Sequence, residues 1–229
     1  SIIIPVYNEA ETLVAFLQPL QSLRAQGCEI IVVDGGSRDD SVSLAAPWVD
    51  KVQCSDSGRA RQMNCGAALA SGNWLLFLHA DTQLPDSLPA LLQSLASQVS
   101  GWGFFPVVLS GRAKLFRVIE RAISLRSRLS GVATGDQAMF VARSLFNRVN
   151  GFAPIALMED VALSKQLRRH AKPQVWHQPV QTSSRRWERD GIVRTVLLMW
   201  SLRLGYCLGL SPERLVRVYY GKDKVKGDG

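Results

Sequence analysis

Three short apolar runs, residues 2–6, 29–34 and 74–78, constrain the fold more than any other feature of the chain. Each is too short for a stable helix, is rich in Ile, Val, Leu and Phe, and stops against polar or turn-forming residues. That is the pattern of strands buried on both faces of a parallel sheet. Between the first two, residues 11–26 carry Leu13, Phe16, Leu17, Leu20 and Leu23 at three- and four-residue spacing, which predicts one helix with a buried face. Residues 58–70 read as a second helix and 39–46 as a short third. Strand alternating with helix at this spacing builds βαβ units, hence an open α/β sheet with right-handed crossovers. Such sheets bind ligands beyond the carboxyl ends of their strands. The positions to examine are therefore Asn8 and Glu9, then 34–40, then 79–81.

With 229 residues, 47% of them hydrophobic and 20% charged, the chain can bury a sizeable core, and disordered or fibrous classes are excluded. Cys28, Cys54, Cys65 and Cys207 form no CxxC pair, so neither a zinc knuckle nor a disulfide framework is indicated, and reduced thiols in a cytoplasmic setting are expected. No basic leader precedes the first apolar run, so no signal peptide is expected.

Charge divides the chain. Residues 1–110 hold 5 basic and 10 acidic residues, a net −5, whereas residues 111–229 hold 22 and 9, a net +13. Isolated carboxylates in the first half suit a metal; the basic half suits a phosphate-bearing partner. Nucleic acid is disfavoured, because the chain has no finger, no RNP-like motif and no dense basic run with interleaved aromatics. Residues 112–129 read as an amphipathic helix, with Leu115, Val118, Ile119, Ala122, Ile123 and Leu129 on one face, Lys114, Arg117, Arg121 and Arg128 on the other, and Arg126 inside the apolar arc. Residues 192–210 are apolar almost all round, yet Arg194, Arg203, Gly205 and Gly209 interrupt them, so no transmembrane span is expected.

Several residues can carry chemistry, each with a plainer alternative. Asp34 ends the second run before two glycines, where a carboxylate can accept hydrogen bonds from a base or ribose or can simply shape the turn; Asp39 or Asp40 can cap the next helix. Asp81 follows an abrupt change from WLLFL to His79-Ala80, where it can hold a hard divalent cation or sit solvated in a loop. Glu159 and Asp160 open a helix, a place acids also favour through the helix dipole. The same applies to Glu9 and Glu11, and the Arg185-Arg186-Trp187 cluster can be a solvated surface.

Taken in order, PVYNE at 5–9, VVDGGSRDDS at 32–41, GRARQMNCGAALASG at 58–72, LHADT at 78–82, GDQAMFVAR at 135–143 and MEDVALSKQLRR at 158–169 resemble the family 2 glycosyltransferases. The resemblance implies a GT-A fold: an open twisted α/β sheet whose nucleotide-binding βαβ half is followed by an acceptor-binding half and C-terminal helices. It implies a nucleotide-diphosphate-sugar donor, a divalent metal (Mn2+ or Mg2+) and inversion at the anomeric carbon. Pro5, Tyr7 and Glu9 match the segment lining the nucleoside pocket, Asp34 the acid that contacts the base, and Arg61 falls in a donor-binding segment. Asp81 matches the metal-binding acid of the DxD motif, with His79 where its first Asp usually stands, so ribose or metal is open for His79. Asp160 matches the general base of the ED motif, with Glu159 beside it. On this reading residues 1–110 are the nucleotide-sugar-binding half, 111–221 the acceptor-binding half and 222–229 a mobile tail, all within one continuous domain.

Processive members carry QxxRW; here Arg186-Trp187 match its end while Ser183 replaces the Gln, which favours single addition. The His-Ala-Asp variant is similar to a subgroup linked to arsenosugar biosynthesis. The acceptor is unassigned; the basic half has two expectations, attachment to an anionic membrane surface at the inner face, or apolar faces that pack on the sheet or form a dimer interface while the arginines are solvated. The rival readings are a sugar-phosphate nucleotidyltransferase, whose glycine-rich phosphate loop is missing after the first run, and a non-catalytic membrane-surface nucleotide-binding protein.

Overall fold

The computed structural model describes residues 1–220. Its strands in chain order are β1 (Ile2–Val6), β2 (Ile30–Asp34), β3 (Lys51–Cys54), β4 (Trp74–Phe77), β5 (Thr82–Gln83), β6 (Trp102–Phe104), β7 (Val107–Leu109), β8 (Met139–Ala142), β9 (Gln174–Val175) and β10 (Val180–Thr182). Seven of them form a sheet of order β3-β2-β1-β4-β8-β6-β9, and β5-β10-β7 form a small second sheet. The strands β3, β2, β1 and β4 run parallel, and β8 is antiparallel to both its neighbours. Strands from both halves of the chain thus share one sheet.

The two-residue period of the apolar runs sorts the core. Ile2, Ile4, Val6, Ile30 and Val32 pack on one face with Leu13, Leu17 and Leu20, while Ile3, Ile31 and Val33 pack on the other with Ala60, Met63 and Ala67. Burying each of these larger side chains is worth ~1.5–3 kcal/mol relative to exposure. The helix Arg59–Leu69 lies close on the sheet because Gly66 has no side chain: a Cβ there would stand 2.4 Å from Ile3 Cγ2.

Four expectations need correction. The helix expected over 11–26 is two, Ala10–Leu17 and Gln21–Ala25, because Pro19 interrupts the hydrogen-bond ladder. The short helix is Ser41–Ala45, continued by a 3₁₀ turn Ala46–Trp48. Edge strand β3 was not anticipated, since Lys51 and Gln53 break its apolar pattern. In the helix Lys114–Ser130 the buried positions are Phe116, Ile119, Glu120 and Ser127, and Leu115, Val118 and Leu129 are exposed, so the apolar residues expected on one face occupy two. The segment 192–210 is largely one helix, Ile192–Cys207, and among the described residues no helix is long and apolar enough to cross a membrane. The tail 222–229 lies outside the described residues.

Candidate active site

The loops after β1 and β2 are fastened to each other. The Asn8 amide donates to Ser37 Oγ at 2.8 Å, Asn8 Oδ1 accepts from the Arg38 amide at 2.8 Å, the Glu9 amide donates to Ser41 Oγ, and the Ala10 amide to Asp39 Oδ2 at 3.0 Å. Asn8 adopts φ 53° to make this exchange, a conformation that Asn tolerates better than most residues. Beneath the loops, Gln62 Nε2 donates to both Val6 O and Val33 O at 2.8 Å, bridging the ends of β1 and β2. Asp34 is buried. One of its oxygens accepts from the Gly36 and Ser37 amides at 2.9 Å, and the other accepts from the Ser37 hydroxyl. Pro5 lies within β1, and Tyr7 stands exposed just beyond it. Arg61, on the first turn of the helix Arg59–Leu69, is exposed and 3.9 Å from Asp56.

After β4 the chain turns through His79, Ala80 and Asp81. The imidazole lies against Gly135, where a Cβ would stand 2.4 Å from His79 Cε1. Burial, with the Arg59 charge adding to it, lowers the His79 pKa to about 3, so the ring is neutral. The Gly135 amide donates to Asp160 Oδ2 at 2.7 Å, and Asp160 Oδ1 accepts from the Val161 amide at 2.6 Å. One glycine therefore joins the strand-end loop to the start of the helix Glu159–Leu167. On its other side the Asp81 loop is tied to the small sheet: Asp81 O accepts from the Ser183 amide, and Thr82 Oγ1 bonds Thr182 Oγ1 at 3.0 Å. Asp81, exposed, lines a cavity of about 200 Å³ with Gln83, Ser110, Gln181, Thr182 and Ser183.

The acids of these loops act on one another. Burial raises the Glu9 pKa, and Asp81 and Asp39 push it further, against Thr12 and Arg185. Burial raises Asp136, with Asp81 adding and Thr134 and Arg126 opposing. Burial and the Asp160 charge carry Glu159 to about 7, and Asp160 itself is raised by burial and Asp136, against the two amides it accepts from and Arg59. The structure thus gathers Glu9, His79, Asp81, Glu159 and Asp160 around the carboxyl ends of the parallel strands β1 and β4. Asp34 stands farther along the same end of the sheet, at the end of β2, and Arg61 in the helix following β3.

Three participants were missed. Asp136 lay inside the GDQAMFVAR segment without a role assigned to it. Arg126 registered only as an anomaly in an apolar arc, and its charge acts on Asp136 and Asp160. Arg59 stands two residues before Arg61, and its charge reaches His79, Glu159 and Asp160.

The donor set suits a hard divalent cation only in part. Oxygen ligands are at hand in Asp81 and its electrostatic neighbours Glu9 and Asp136, and their mutual repulsion is relieved by positive charge. Among the described residues, however, no three His, Cys, Asp or Glu side chains converge as a metal cage. The chemistry fits a cation held by one carboxylate and shared with the phosphates of a ligand.

A mixed sheet of this order, with carboxylates along the carboxyl ends of its parallel strands, defines the GT-A class of fold. The chain belongs to glycosyl transferase family 2, whose sequence model matches residues 1–134. A PGL/p-HBAD biosynthesis glycosyltransferase of Mycobacterium bovis is 37% identical over 91 residues, which cover 37% of this chain and 36% of that protein. Among solved structures, S. aureus TarS in complex with UDP superposes with TM-score 0.62 at 18% identity, covering 80% of this chain and 59% of that one. Glucosyl-3-phosphoglycerate synthase from Mycobacterium tuberculosis, in complex with Mn2+, UDP and phosphoglyceric acid, superposes with TM-score 0.56 at 20% identity, covering 80% and 67%. The chain therefore matches little more than a third of that curated relative's length.

Proposed function

We propose that this protein moves a sugar from a nucleotide-diphosphate donor to an acceptor hydroxyl, by a single, inverting, metal-assisted transfer. The observation that carries the reading is the junction at Gly135, which packs against His79, two residues before Asp81, and whose amide donates to Asp160 at a helix start. Family membership supports the donor class, and the UDP and Mn2+ in the structural neighbours support a nucleotide and a divalent ion. In this reading residues 1–110 bind the donor and 111–221 the acceptor.

The loops carrying Pro5, Tyr7, Glu9 and Asp34 hold the nucleoside, with Asp34 toward the base and Arg61 toward the diphosphate. Asp81 would hold Mn2+ or Mg2+, which when bound neutralises charge developing on the departing diphosphate. Asp160 accepts the proton of the acceptor hydroxyl as its oxygen bonds to the anomeric carbon, while the bond from that carbon to the diphosphate oxygen breaks and the nucleoside diphosphate leaves with the electron pair. Asp160 is suited to this because burial raises its proton affinity while two amides fix its orientation. Glu159, next to it, is the alternative base. A single base opposite the leaving group corresponds to inversion. Single addition is favoured by Ser183 at the first position of the QxxRW segment. We assign the protein to the cytoplasm, held peripherally at the inner membrane face. The His-Ala-Asp variant is our ground for the arsenosugar-linked subgroup.

The test is a panel of UDP-, GDP- and dTDP-sugars assayed for binding and turnover with Mn2+ or Mg2+ and with chelator. Metal-dependent turnover of one of them is expected. Failure to bind or turn over any donor would refute the reading.

A further inference from the structure

The helix Lys114–Ser130 carries two apolar faces, and the fold uses one. Phe116, Ile119 and Ile123 pack inward with Trp187, Ile192 and Val196. Leu115, Val118, Ala122, Leu125 and Leu129 recur every three or four residues within an arc of about 80° on another side, and the four larger ones are 43%, 60%, 58% and 79% exposed. The helix Ile192–Cys207 repeats the arrangement. Thr195, Leu202 and Gly205 face the core, whereas Val193, Leu197, Trp200, Leu204 and the capping Leu208 form an outward ridge 61–75% exposed. The two helices meet where Ile192 and Val196 join the Phe116 cluster.

Charge identifies the occupant. Lys114, Arg121 and Arg128 run along one side of the first ridge, exposed and without an ion-pair partner among the described residues, in a half of the chain with net charge +13. A second copy docked through this face would set one basic row against the other. An anionic bilayer accepts both elements at once, apolar side chains below the headgroups and basic ones among them, with Trp200 at the boundary.

The same helices border Asp160 on their inner sides. Leu198, Met199 and Leu202 pack with Met158 and Val161, the residues flanking Glu159 and Asp160, and the Lys165 ammonium of that helix lies 5.0 Å from the Tyr206 ring centroid. Arg126 Nη2 reaches Thr134 Oγ1 at 3.5 Å, one residue before the glycine that holds Asp160. The outward ridges and the candidate base therefore sit on opposite sides of a layer one helix thick.

We propose that the two ridges seat the enzyme on an anionic bilayer and that the hydroxyl presented to Asp160 belongs to a membrane-resident amphiphile. This rests on the transferase reading and adds the acceptor class to it. The full chain is mixed with vesicles of phosphatidylglycerol and phosphatidylcholine, of phosphatidylcholine alone, and of the source cells' total lipid extract. Radiolabelled UDP- and GDP-sugars are added, and label is counted in solvent-extracted lipid and in water-soluble product. Flotation with the anionic vesicles, weakening as salt rises, and label in the lipid phase are expected. The variant Trp200→Glu/Leu204→Glu and the variant Leu125→Glu should lose flotation and lipid labelling at least tenfold, while circular dichroism and donor hydrolysis stay as in the wild type. Donor turnover without flotation, label confined to water-soluble product, or undiminished lipid labelling by the ridge variants would overturn the inference and leave the transferase reading standing. Flotation with no donor bound or hydrolysed would instead overturn the transferase reading, and this inference with it.

Discussion

Asp39 in the loop after β2 and Asp160 at a helix start are both carboxylates that accept backbone amides, but their surroundings set their proton affinity in opposite directions. Asp39 is surrounded by donors, the Ser41 hydroxyl first among them, with the Ala10 and Ser41 amides adding to it, and its pKa is lowered. Asp160 also accepts two amides, yet burial and the neighbouring Asp136 outweigh them and its pKa is raised. The same functional group thus holds its proton less tightly where donors and water surround it, and more tightly where water is excluded and like charges crowd.

The contrast breaks most sharply at Asp160. Asp160→Asn keeps shape but removes the capacity to take up a proton, and general-base contributions of about 10²- to 10⁴-fold give the expected loss of transfer rate, with nucleotide affinity in calorimetry retained. In the wild type, transfer should rise with pH beyond the ordinary carboxylate range, because the raised pKa keeps Asp160 protonated there; a flat profile down to the usual Asp range would contradict this. On the donor side, Asp81→Ala should abolish the difference between nucleotide binding with metal and with chelator. An unchanged difference would move the ion to another acid.

Smaller effects sharpen the structural half of the comparison. Gln62→Ala strips two buried strand-end carbonyls of their shared donor and should reduce stability by ~1–3 kcal/mol in urea unfolding, before any effect on Asp160 chemistry. Last comes Glu159. Its folded pKa of about 7 lies above the ordinary 4.5, so the folded state binds the proton more tightly, and the wild type loses stability as pH rises from about 4.5 through 7. Glu159→Gln removes that slope. Thermal melts should show the variant matching the wild type below the ordinary pKa of 4.5 and exceeding it above the folded value of about 7.

The strands β1, β2 and β4 were legible because nearly every residue in them is apolar, and burial on both faces permits nothing else. Edge strand β3 was not, since its half-exposed Lys51-Val52-Gln53-Cys54 carries no such pattern. The helix expected over 11–26 ignored one missing amide at Pro19. In the site, Asp81, Glu159 and Asp160 stood out at element ends, where sequence order and spatial position coincide. Asp136, Arg126 and Arg59 did not. Their importance comes from charges acting between segments far apart in the chain, and spacing along a single segment does not record that. The exposed second stripe of the helix Lys114–Ser130 was hidden for a related reason. A wheel shows which residues share a side, but the neighbours decide which side is covered.

The contact between His79 and Gly135 also limits how these two positions can change. The imidazole fills the volume that a side chain at 135 would require, so neither residue is free to vary alone: a methyl group at 135 evicts the ring and disturbs the amide that holds Asp160. A smaller residue at 79 reopens that volume. The two positions, 56 apart in the chain, should therefore change together, and sequences that enlarge one should be found to have shrunk the other.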